Sequence, residues 1–225
     1  MAYQNGPRII TDGLKICLDA RNPKSYAGSG GTWYDLSGNG NHCVFNATPT
    51  WSNGEFTFNG TSHYGTITNN STLDFSSEQT LMMVLYPTAT SGRRNPWDQA
   101  YGGYGTWTWE GNSNPASINQ YFGDAGTNNT PYVGNSSSTL VINELGIMTS
   151  TRDTANQTWY KNTGAGIVRS HAYGVLTTTT ADIRIGLGYA GYFEGKINYV
   201  LAYTRALTAT EVLQNVSAIR ARYGV

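Results

Sequence analysis

Short β-prone segments, separated by clusters of Gly, Asn and Ser, recur along the whole of this 225-residue chain. Segments of this kind predict strands that are joined by tight turns. The predicted strands lie near residues 14–19, 42–45, 55–58, 63–68, 79–86, 106–109, 118–122, 139–149, 156–161, 181–187 and 195–204. Many short strands in one chain of this length predict an all-β fold, a two-sheet antiparallel sandwich in a single domain.

The segment 195–204 has a strong strand pattern. Four apolar residues at every second position are predicted to share one face: Ile197, Tyr199, Leu201 and Tyr203. Val200 and Ala202 make the opposite face apolar as well. Because successive side chains of a strand point to opposite faces, this strand is expected to be covered on both sides, at the centre of a sheet.

One helix is predicted, close to the C-terminal end of the sequence. Thr208 and Glu211 have the spacing of a capping box, in which each side chain accepts a hydrogen bond from the other residue's backbone N–H. Apolar residues follow at helical spacing: Val212, Leu213, Val216, Ile219 and Tyr223. Gly224 is a suitable stop. We therefore expect a helix at about residues 209–222 that packs this stripe against the sheet.

The charge content is low and balanced, which limits the classes of partner. Fourteen basic and fourteen acidic residues make 12% of the chain and cancel to a formal net charge of zero. Nucleic-acid binding needs a basic surface, so the composition argues against it. A neutral surface gives little repulsion between molecules and favours association. Neither a transmembrane segment nor a signal peptide is predicted.

Cys17 and Cys43 both lie in apolar segments. Two buried free thiols are the favoured interpretation, because free cysteine is among the most buried residue types. The alternative is a disulfide between neighbouring strands, which requires an oxidising environment. The C-x-x-C spacing of a zinc site is absent.

The stretch "DLSGNGN", residues 35–41, resembles the start of a calcium loop, with Asp35, Ser37 and Asn39 spaced two apart. An EF-hand requires a bidentate Glu at the twelfth loop position, where this sequence has Asn46. The flanking segments are also strand-like. The stretch is therefore predicted to be a tight turn, and no metal site is predicted.

Five blocks of sequence carry a resemblance to a known family. The first and last are the most specific, "TDGLKICLDARNPKSYAGSGGTWYDLSGNGNHCVF" at residues 11–45 and "GYFEGKINYVLAYTRALTATEVLQN" at residues 191–215. Between them lie "FTFNGTSHYGTI" at residues 56–67, "QTLMMVLYPT" at residues 79–88 and "TSTRDTANQTWYKNTGAG" at residues 149–166. In their order along the chain they resemble LamG-like (concanavalin A-like) domains, which are widespread in virion proteins of tailed phages. The resemblance covers nearly the whole chain and implies a jelly roll, in agreement with the predicted strands.

The resemblance also sets the expected domain boundaries. Residues 1–12 form an N-terminal segment, and residues 13–225 form one LamG-like domain that ends in the predicted helix. Ile9 and Ile10 make the N-terminal segment apolar. We expect this segment to lie along the surface of a neighbouring molecule.

Catalytic residues are not predicted. Glucanases related to this sandwich use closely spaced carboxylates, and a retaining pair lies about 5 Å apart. The glutamates of this chain are scattered and do not form the close constellation of carboxylates that those enzymes use: Glu55, Glu78, Glu110, Glu144, Glu194 and Glu211. His42, His63 and His171 are similarly isolated. No cofactor motif is present.

The aromatic stretch 95–114 is the candidate binding site. Its candidate residues are Trp97, Asp98, Tyr101, Tyr104, Trp107, Trp109 and Asn112. Planar rings can lie against the C–H faces of sugars, while carboxylate and amide groups bind hydroxyls. Two alternatives stay open, because alternating aromatics such as "TWTW" also pack cores and Trp and Tyr also anchor protein contacts.

These observations give one functional hypothesis and one alternative. The resemblance implies a non-enzymatic structural protein on a tailed-phage virion surface, as a capsid decoration or cement subunit or as a tail or fibre component. Its expected partners are other virion proteins, copies of itself or a host-surface glycan. The alternative is a glycan-binding adhesin or lectin, or a carbohydrate-active enzyme. No nucleic acid, membrane insertion, metal or cofactor is expected.

Overall fold

Strand-forming segments dominate the computed structural model, which describes residues 7–111, 116–123 and 132–225. In chain order the strands are β1 (Leu14–Asp19), β2 (Thr32–Trp33), β3 (Cys43–Ala47), β4 (Thr50–Ser52), β5 (Glu55–Asn59), β6 (Tyr64–Ile67), β7 (Gln79–Pro87), β8 (Arg93–Gln99), β9 (Gly105–Glu110), β10 (Ala116–Phe122), β11 (Tyr132–Leu140), β12 (Gly146–Arg152), β13 (Asn156–Lys161), β14 (Ile167–Ser170), β15 (Ile183–Ile185), β16 (Leu187–Gly188), β17 (Gly191–Tyr192) and β18 (Glu194–Tyr203). One π-helical turn (Ala100–Tyr104) follows β8, and one α-helix, α1 (Ala209–Tyr223), follows β18. In the described part of the chain, no helix is long and apolar enough to cross a membrane.

Within the described residues, the strands form two sheets that pack face to face. The eight-stranded sheet has the order β14-β13-β12-β7-β18-β5-β4, with β1 also paired to β18. The ten-stranded sheet has the order β11-β10-β9-β8-β15-β6-β3-β2, with the short strands β16 and β17 attached to β8. All pairs are antiparallel except β17 with β8. The predicted all-β sandwich with one C-terminal helix is confirmed.

Two apolar layers hold the fold together. The first fills the space between the sheets and includes Trp33, Phe56, Met83 and Trp107. The second lies between the outer face of the eight-stranded sheet and α1. Strand β18 contributes to both layers, which is why both of its faces are apolar.

A bulge in β18 corrects the predicted alternation. The pairing of β18 with β7 shifts register between Ile197 and Tyr199. One extra residue in a strand reverses the face to which each residue beyond the bulge points. As a result Tyr199, Leu201 and Tyr203 face α1, whereas Ile197 faces the layer between the sheets.

One predicted strand was wrong in its limits, and one seven-residue strand, β8, was not predicted. The predicted strand 139–149 is the end of β11 and the start of β12, separated by a turn in which Asn143 has φ 65°. Strand β8 was missed because Pro96 interrupts its pattern. The pairing of β8 with β9 shifts register between Arg94 and Trp97, and proline is tolerated in a strand at such an irregularity.

The capping box at the start of α1 is confirmed. The Thr208 hydroxyl accepts a hydrogen bond from the Glu211 backbone N–H at 3.3 Å, and the Glu211 carboxylate accepts one from the Thr208 N–H at 2.9 Å. The buried residues of the helix are Val212, Asn215, Val216, Ile219 and Tyr223. Leu213 is 48% exposed, so its predicted place in the buried stripe is wrong. Asn215 is buried beneath the helix instead.

Residues 7–12 pack against their own domain. Asn215 Oδ1 accepts a hydrogen bond from the Ile10 N–H at 2.7 Å, and its Nδ2 donates to the Tyr203 hydroxyl at 2.9 Å. That hydroxyl donates to the Ile10 carbonyl at 2.9 Å, which closes a ring of three hydrogen bonds. Ile9 and Ile10 pack against the layer under α1. The expectation that these two residues hold a neighbouring molecule is therefore corrected, and residues 1–6 lie outside the described residues.

Both cysteines are buried free thiols, as the favoured interpretation predicted. Cys17 lies in the layer under α1, whereas Cys43 lies between the sheets. Burial raises the pKa of Cys17 to about 11 and raises that of Cys43 further above its ordinary value. Neither thiol is therefore a nucleophile at neutral pH.

Residues 35–41 form the predicted turn, and hydrogen bonds join this turn to β1. Asp35 Oδ1 accepts hydrogen bonds from the backbone N–H groups of Cys17 at 2.8 Å and Ser37 at 2.9 Å. Its Oδ2 accepts from the Asn41 N–H at 3.0 Å and from the Ser37 hydroxyl at 2.6 Å. These hydrogen bonds within the protein occupy both carboxylate oxygens. In the described residues, no group of three His, Cys, Asp or Glu side chains could hold a metal ion.

Candidate functional site

Four aromatic residues of the candidate stretch lie in the core between the sheets. Trp97, Trp107 and Trp109 are fully buried, and Tyr104 is 2% exposed. In β9, Thr106 and Thr108 alternate with the two tryptophans, so the indoles point inward. The hypothesis that these four rings form an exposed sugar-binding surface is therefore wrong, and the core-packing alternative holds for them.

Asp98, a polar residue of the stretch, does not form an open site either. Asp98 is 8% exposed and accepts a hydrogen bond from the Thr106 hydroxyl. Burial raises the pKa of Asp98, although the Thr106 hydrogen bond and the charge of Arg184 oppose the shift. The predicted residue Asn112 lies outside the described residues.

Tyr101 differs from the rest of the stretch because its ring joins two other tyrosines at the surface. Its ring centroid lies 4.1 Å from that of Tyr189 and 5.4 Å from that of Tyr121. The centroids of Tyr121 and Tyr189 are 5.8 Å apart. Tyr189 is 42% exposed, and the other two are half-buried. We call these three residues the tyrosine cluster.

A strained turn positions Tyr101. The π-helical turn between β8 and β9 begins at Ala100, which has φ 63°. A non-glycine residue with positive φ is uncommon, and both this conformation and π-turns are concentrated at functional sites. The turn directs the ring of Tyr101 to the surface between Tyr121 of β10 and Tyr189 of the β16–β17 hairpin.

The β16–β17 hairpin carries Tyr189 and lies against β8. Asn95 Oδ1 accepts hydrogen bonds from the backbone N–H groups of Ala190 at 2.8 Å and Gly191 at 3.1 Å. At Gly188 a Cβ atom would lie 2.7 Å from Asn95 Cβ, closer than real Cβ contacts allow. Glycine at this position therefore lets the hairpin approach β8 and hold Tyr189 over the sheet.

An ion pair forms the base of the tyrosine cluster. Arg93 of β8 and Glu110 of β9 are cross-strand partners. Arg93 Nε lies 3.0 Å from Glu110 Oε2, and Arg93 Nη2 lies 3.2 Å from Glu110 Oε1. Paired hydrogen bonds of this kind between guanidinium and carboxylate fix the geometry of both side chains.

Arg93 also contacts two of the tyrosines. Its Nη2 donates hydrogen bonds to the hydroxyls of Tyr121 and Tyr189. Its guanidinium carbon lies 5.1 Å and 5.2 Å from the centroids of the two rings, within the range of cation–π attraction. Burial alone lowers the pKa of Arg93, but the hydrogen bonds and the charge of Glu110 outweigh it and raise that pKa.

Glu110 completes the polar network. Its Oε1 accepts hydrogen bonds from Asn119 Nδ2 at 3.1 Å and from the Tyr121 hydroxyl at 3.0 Å. Burial and the charge of Glu110 both raise the pKa of Tyr121, so this phenol remains protonated at neutral pH. The site therefore combines partly exposed aromatic rings with a fixed set of hydrogen-bond donors and acceptors.

A family model described as the concanavalin A-like lectin/glucanases superfamily matches residues 59–213. The chain belongs to this superfamily. The matched region contains β6 to β18, and therefore the tyrosine cluster, Arg93 and Glu110.

Three solved structures with this concanavalin A-like fold are distant in sequence. The binding domain of Paraclostridial mosquitocidal protein 1 is 15% identical with a TM-score of 0.67, and the match covers 93% of this chain and 53% of that one. A sialidase of Trypanosoma rangeli is 13% identical with a TM-score of 0.65, and the match covers 92% of this chain and 33% of the sialidase. The third is domain 4 of the extracellular arabinanase AbnA from Geobacillus stearothermophilus, solved in complex with arabinotriose. It is 14% identical with a TM-score of 0.65, and the match covers 91% of this chain and 98% of that domain.

At these identities the likeness establishes the fold alone. The chain spans about half the length of the toxin binding domain and one third of the sialidase, but nearly all of the arabinanase domain. A comparison with curated proteins finds no match.

Most residues of this concanavalin A-like chain's candidate site were missed from the sequence. Tyr101 was proposed, and Glu110 lies in the aromatic stretch 95–114 that was proposed as the binding site. Arg93, Tyr121 and Tyr189 were not considered for binding. The alternation of Ser117, Asn119 and Tyr121 in β10 is a usable signal, because it puts these residues on the face opposite Ile118 and Phe122.

Proposed function

We propose that this chain is a non-catalytic binding module that holds a glycan at the tyrosine cluster. The observation that carries the proposal is the set of three close, partly exposed tyrosine rings built around the Arg93–Glu110 pair. Sugars present apolar C–H faces and a rim of hydroxyls. The ring of Tyr189 offers a surface for the first, and the carboxylate of Glu110 and the tyrosine hydroxyls offer partners for the second.

The network of hydrogen bonds favours binding because it orders the site before a ligand arrives. Arg93 donates to Glu110, Tyr121 and Tyr189 at once. Side chains that are already fixed lose less conformational entropy when they contact a ligand.

Contacts around Glu110 support binding over catalysis. The described side chains that hydrogen-bond to Glu110 are those of Arg93, Asn119 and Tyr121, so its carboxylate is held in a fixed network. A glycosidase instead uses two carboxylates, one as the acid and one as the base or nucleophile. Domain 4 of the arabinanase, which has a similar fold, was solved in complex with arabinotriose, and this supports the idea that the fold can hold a sugar.

Replacing Tyr189 by Ala is expected to weaken glycan binding at least tenfold, because the most exposed ring of the cluster is lost. The measurement is screening of the protein on a glycan array, followed by isothermal titration calorimetry with the best-bound sugar. Tyr34→Ala is the matched control, since Tyr34 is 50% exposed and outside the cluster. Equal affinity of the Tyr189 variant and the wild type, or loss of binding in the control alone, would contradict the proposed site.

We further propose that the module is exposed on the surface of a tailed-phage virion, as a capsid decoration or a tail or fibre component. The support is the order of the sequence blocks that resemble LamG-like domains of virion proteins, together with the balanced, sparse charge. On such a particle its protein partners would be other virion proteins or copies of itself.

The virion location predicts that the protein is present in purified particles. Mass spectrometry of gradient-purified virions from the genome that encodes the chain should detect it in stoichiometric amounts, and antibodies should label intact particles. Detection only in the lysate of infected or lysogenic cells, and not in particles, is the contrary result.

A further inference from the structure

We propose that Glu110 sets the ligand class of the tyrosine cluster by neutralising Arg93, so that the site takes neutral sugars and rejects sugars that carry a carboxylate. This inference rests on the proposed glycan-binding function and adds the substrate class. It assigns to Glu110 a role in specificity. The reason lies in how the charges at the base of the cluster are paired.

The guanidinium of Arg93 would be the natural anchor for an acidic sugar, but it is already engaged. Two parallel contacts, of 3.0 Å and 3.2 Å, join it to Glu110. Its Nη2 also donates to the hydroxyls of Tyr121 and Tyr189. Planar, two-point pairing is the way in which arginine binds carboxylates, so Glu110 occupies the Nε–Nη2 edge of Arg93, one of the edges at which a ligand carboxylate would pair, and its charge neutralises the guanidinium.

The neighbouring charges are also balanced. Arg94 Nη2 lies 3.9 Å from Glu194 Oε2, which makes a second pair next to Arg93 in sequence. The two ion pairs therefore contribute two positive and two negative groups. A carboxylate that approaches finds no net positive potential, and it comes close to the fixed negative charge of Glu110.

A sugar hydroxyl meets no such obstacle, because it is both donor and acceptor. It can donate to a carboxylate oxygen of Glu110 and accept from a tyrosine hydroxyl. Neutral hydroxyls also lose less solvation than a carboxylate when they leave water. The same network that excludes an anion is therefore suited to an uncharged glycan.

The test compares matched neutral and acidic glycans on wild-type protein and a Glu110→Gln variant. The array carries arabinotriose, lactose and 3′-sialyllactose, and the last two differ by one carboxylated sugar. Wild-type protein should bind its neutral ligands at least tenfold more tightly than sialylated counterparts. Its affinity for neutral ligands should not change when the salt concentration is raised, because no ligand charge is screened.

Glu110→Gln keeps the shape of the side chain and removes the negative charge, leaving Arg93 uncompensated. Binding of 3′-sialyllactose should then increase at least tenfold and should weaken as salt is added. Glu144→Gln is the control, because Glu144 is another surface carboxylate in an ion pair. Its Oε1 lies 3.7 Å from Lys161 Nζ. Circular dichroism and thermal melting establish that each variant is folded.

Two failures are distinguishable. If wild-type protein binds no glycan of either class, the proposed function fails. If it binds sialylated glycans as well as their neutral counterparts or better, or if folded Glu110→Gln shows no gain for 3′-sialyllactose, glycan binding stands and the role of Glu110 in specificity is wrong.

Discussion

Replacing Trp107 by Ala is expected to lower the free energy of unfolding by about 3–5 kcal/mol, the usual cost of removing a large buried aromatic side chain. The indole is fully buried, and its centroid lies 4.9 Å from that of Trp159 on the opposite sheet. Its Nε1 donates a hydrogen bond to Gln120 Oε1 at 3.3 Å, and this buried oxygen loses one donor in the variant. Urea denaturation followed by circular dichroism measures the change.

The matched control is Tyr34→Ala, which removes a ring that is 50% exposed and should cost about 1 kcal/mol or less. The comparison separates the two interpretations of the "TWTW" segment. A loss of less than about 1 kcal/mol in Trp107→Ala would mean that this ring lies on the surface, as a sugar-stacking role requires, and the described core would be wrong.

The second large effect concerns the packing of the C-terminal helix. Ile219→Ala should destabilise the protein by about 2–5 kcal/mol, because Ile219 is 2% exposed and packs in the layer between α1 and the eight-stranded sheet. Leu213→Ala, in the same helix, should cost less than about 0.5 kcal/mol because Leu213 is 48% exposed.

The pair is a stringent test, since both substitutions remove an aliphatic side chain from the same helix and change helix propensity little. Urea denaturation of the two variants side by side gives both values. Equal costs would mean that α1 is rotated relative to the described packing, and a negligible cost at Ile219 would mean that the helix is not docked.

Local signals explain why much of the fold could be predicted. The capping box at Thr208 and Glu211 is a contact between residues three apart, so the sequence alone locates the start of α1. Turn-forming clusters likewise separate most strands. In each case the physical cause lies within a few residues of the effect.

The features that were predicted wrongly depend on contacts between residues that are distant in sequence. The register shift after Ile197 exists only in the pairing with β7, and no pattern within β18 reveals it. Leu213 and Asn215 are both plausible buried positions on the helix. The structure buries Asn215 because Ile10 and Tyr203 supply hydrogen-bond partners for its amide.

Most of the candidate site could not be predicted from the sequence, for the same reason. Arg93 and Tyr121 come from adjacent hairpins of one sheet, Tyr101 from a turn with positive φ at its first residue, and Tyr189 from a hairpin almost 70 residues further along the chain. Only the fold brings them together. The aromatic stretch indicated the right region, but alternation in β9 turns most of its rings into the core.

The most direct test of glycan binding at the tyrosine cluster is a crystal structure of the protein with its best-bound neutral oligosaccharide. We expect a sugar ring in van der Waals contact with Tyr189 or Tyr101 and a sugar hydroxyl within hydrogen-bond distance of Glu110. A sugar bound elsewhere with the cluster empty, or the lack of any oligosaccharide that binds in solution, would contradict this expectation.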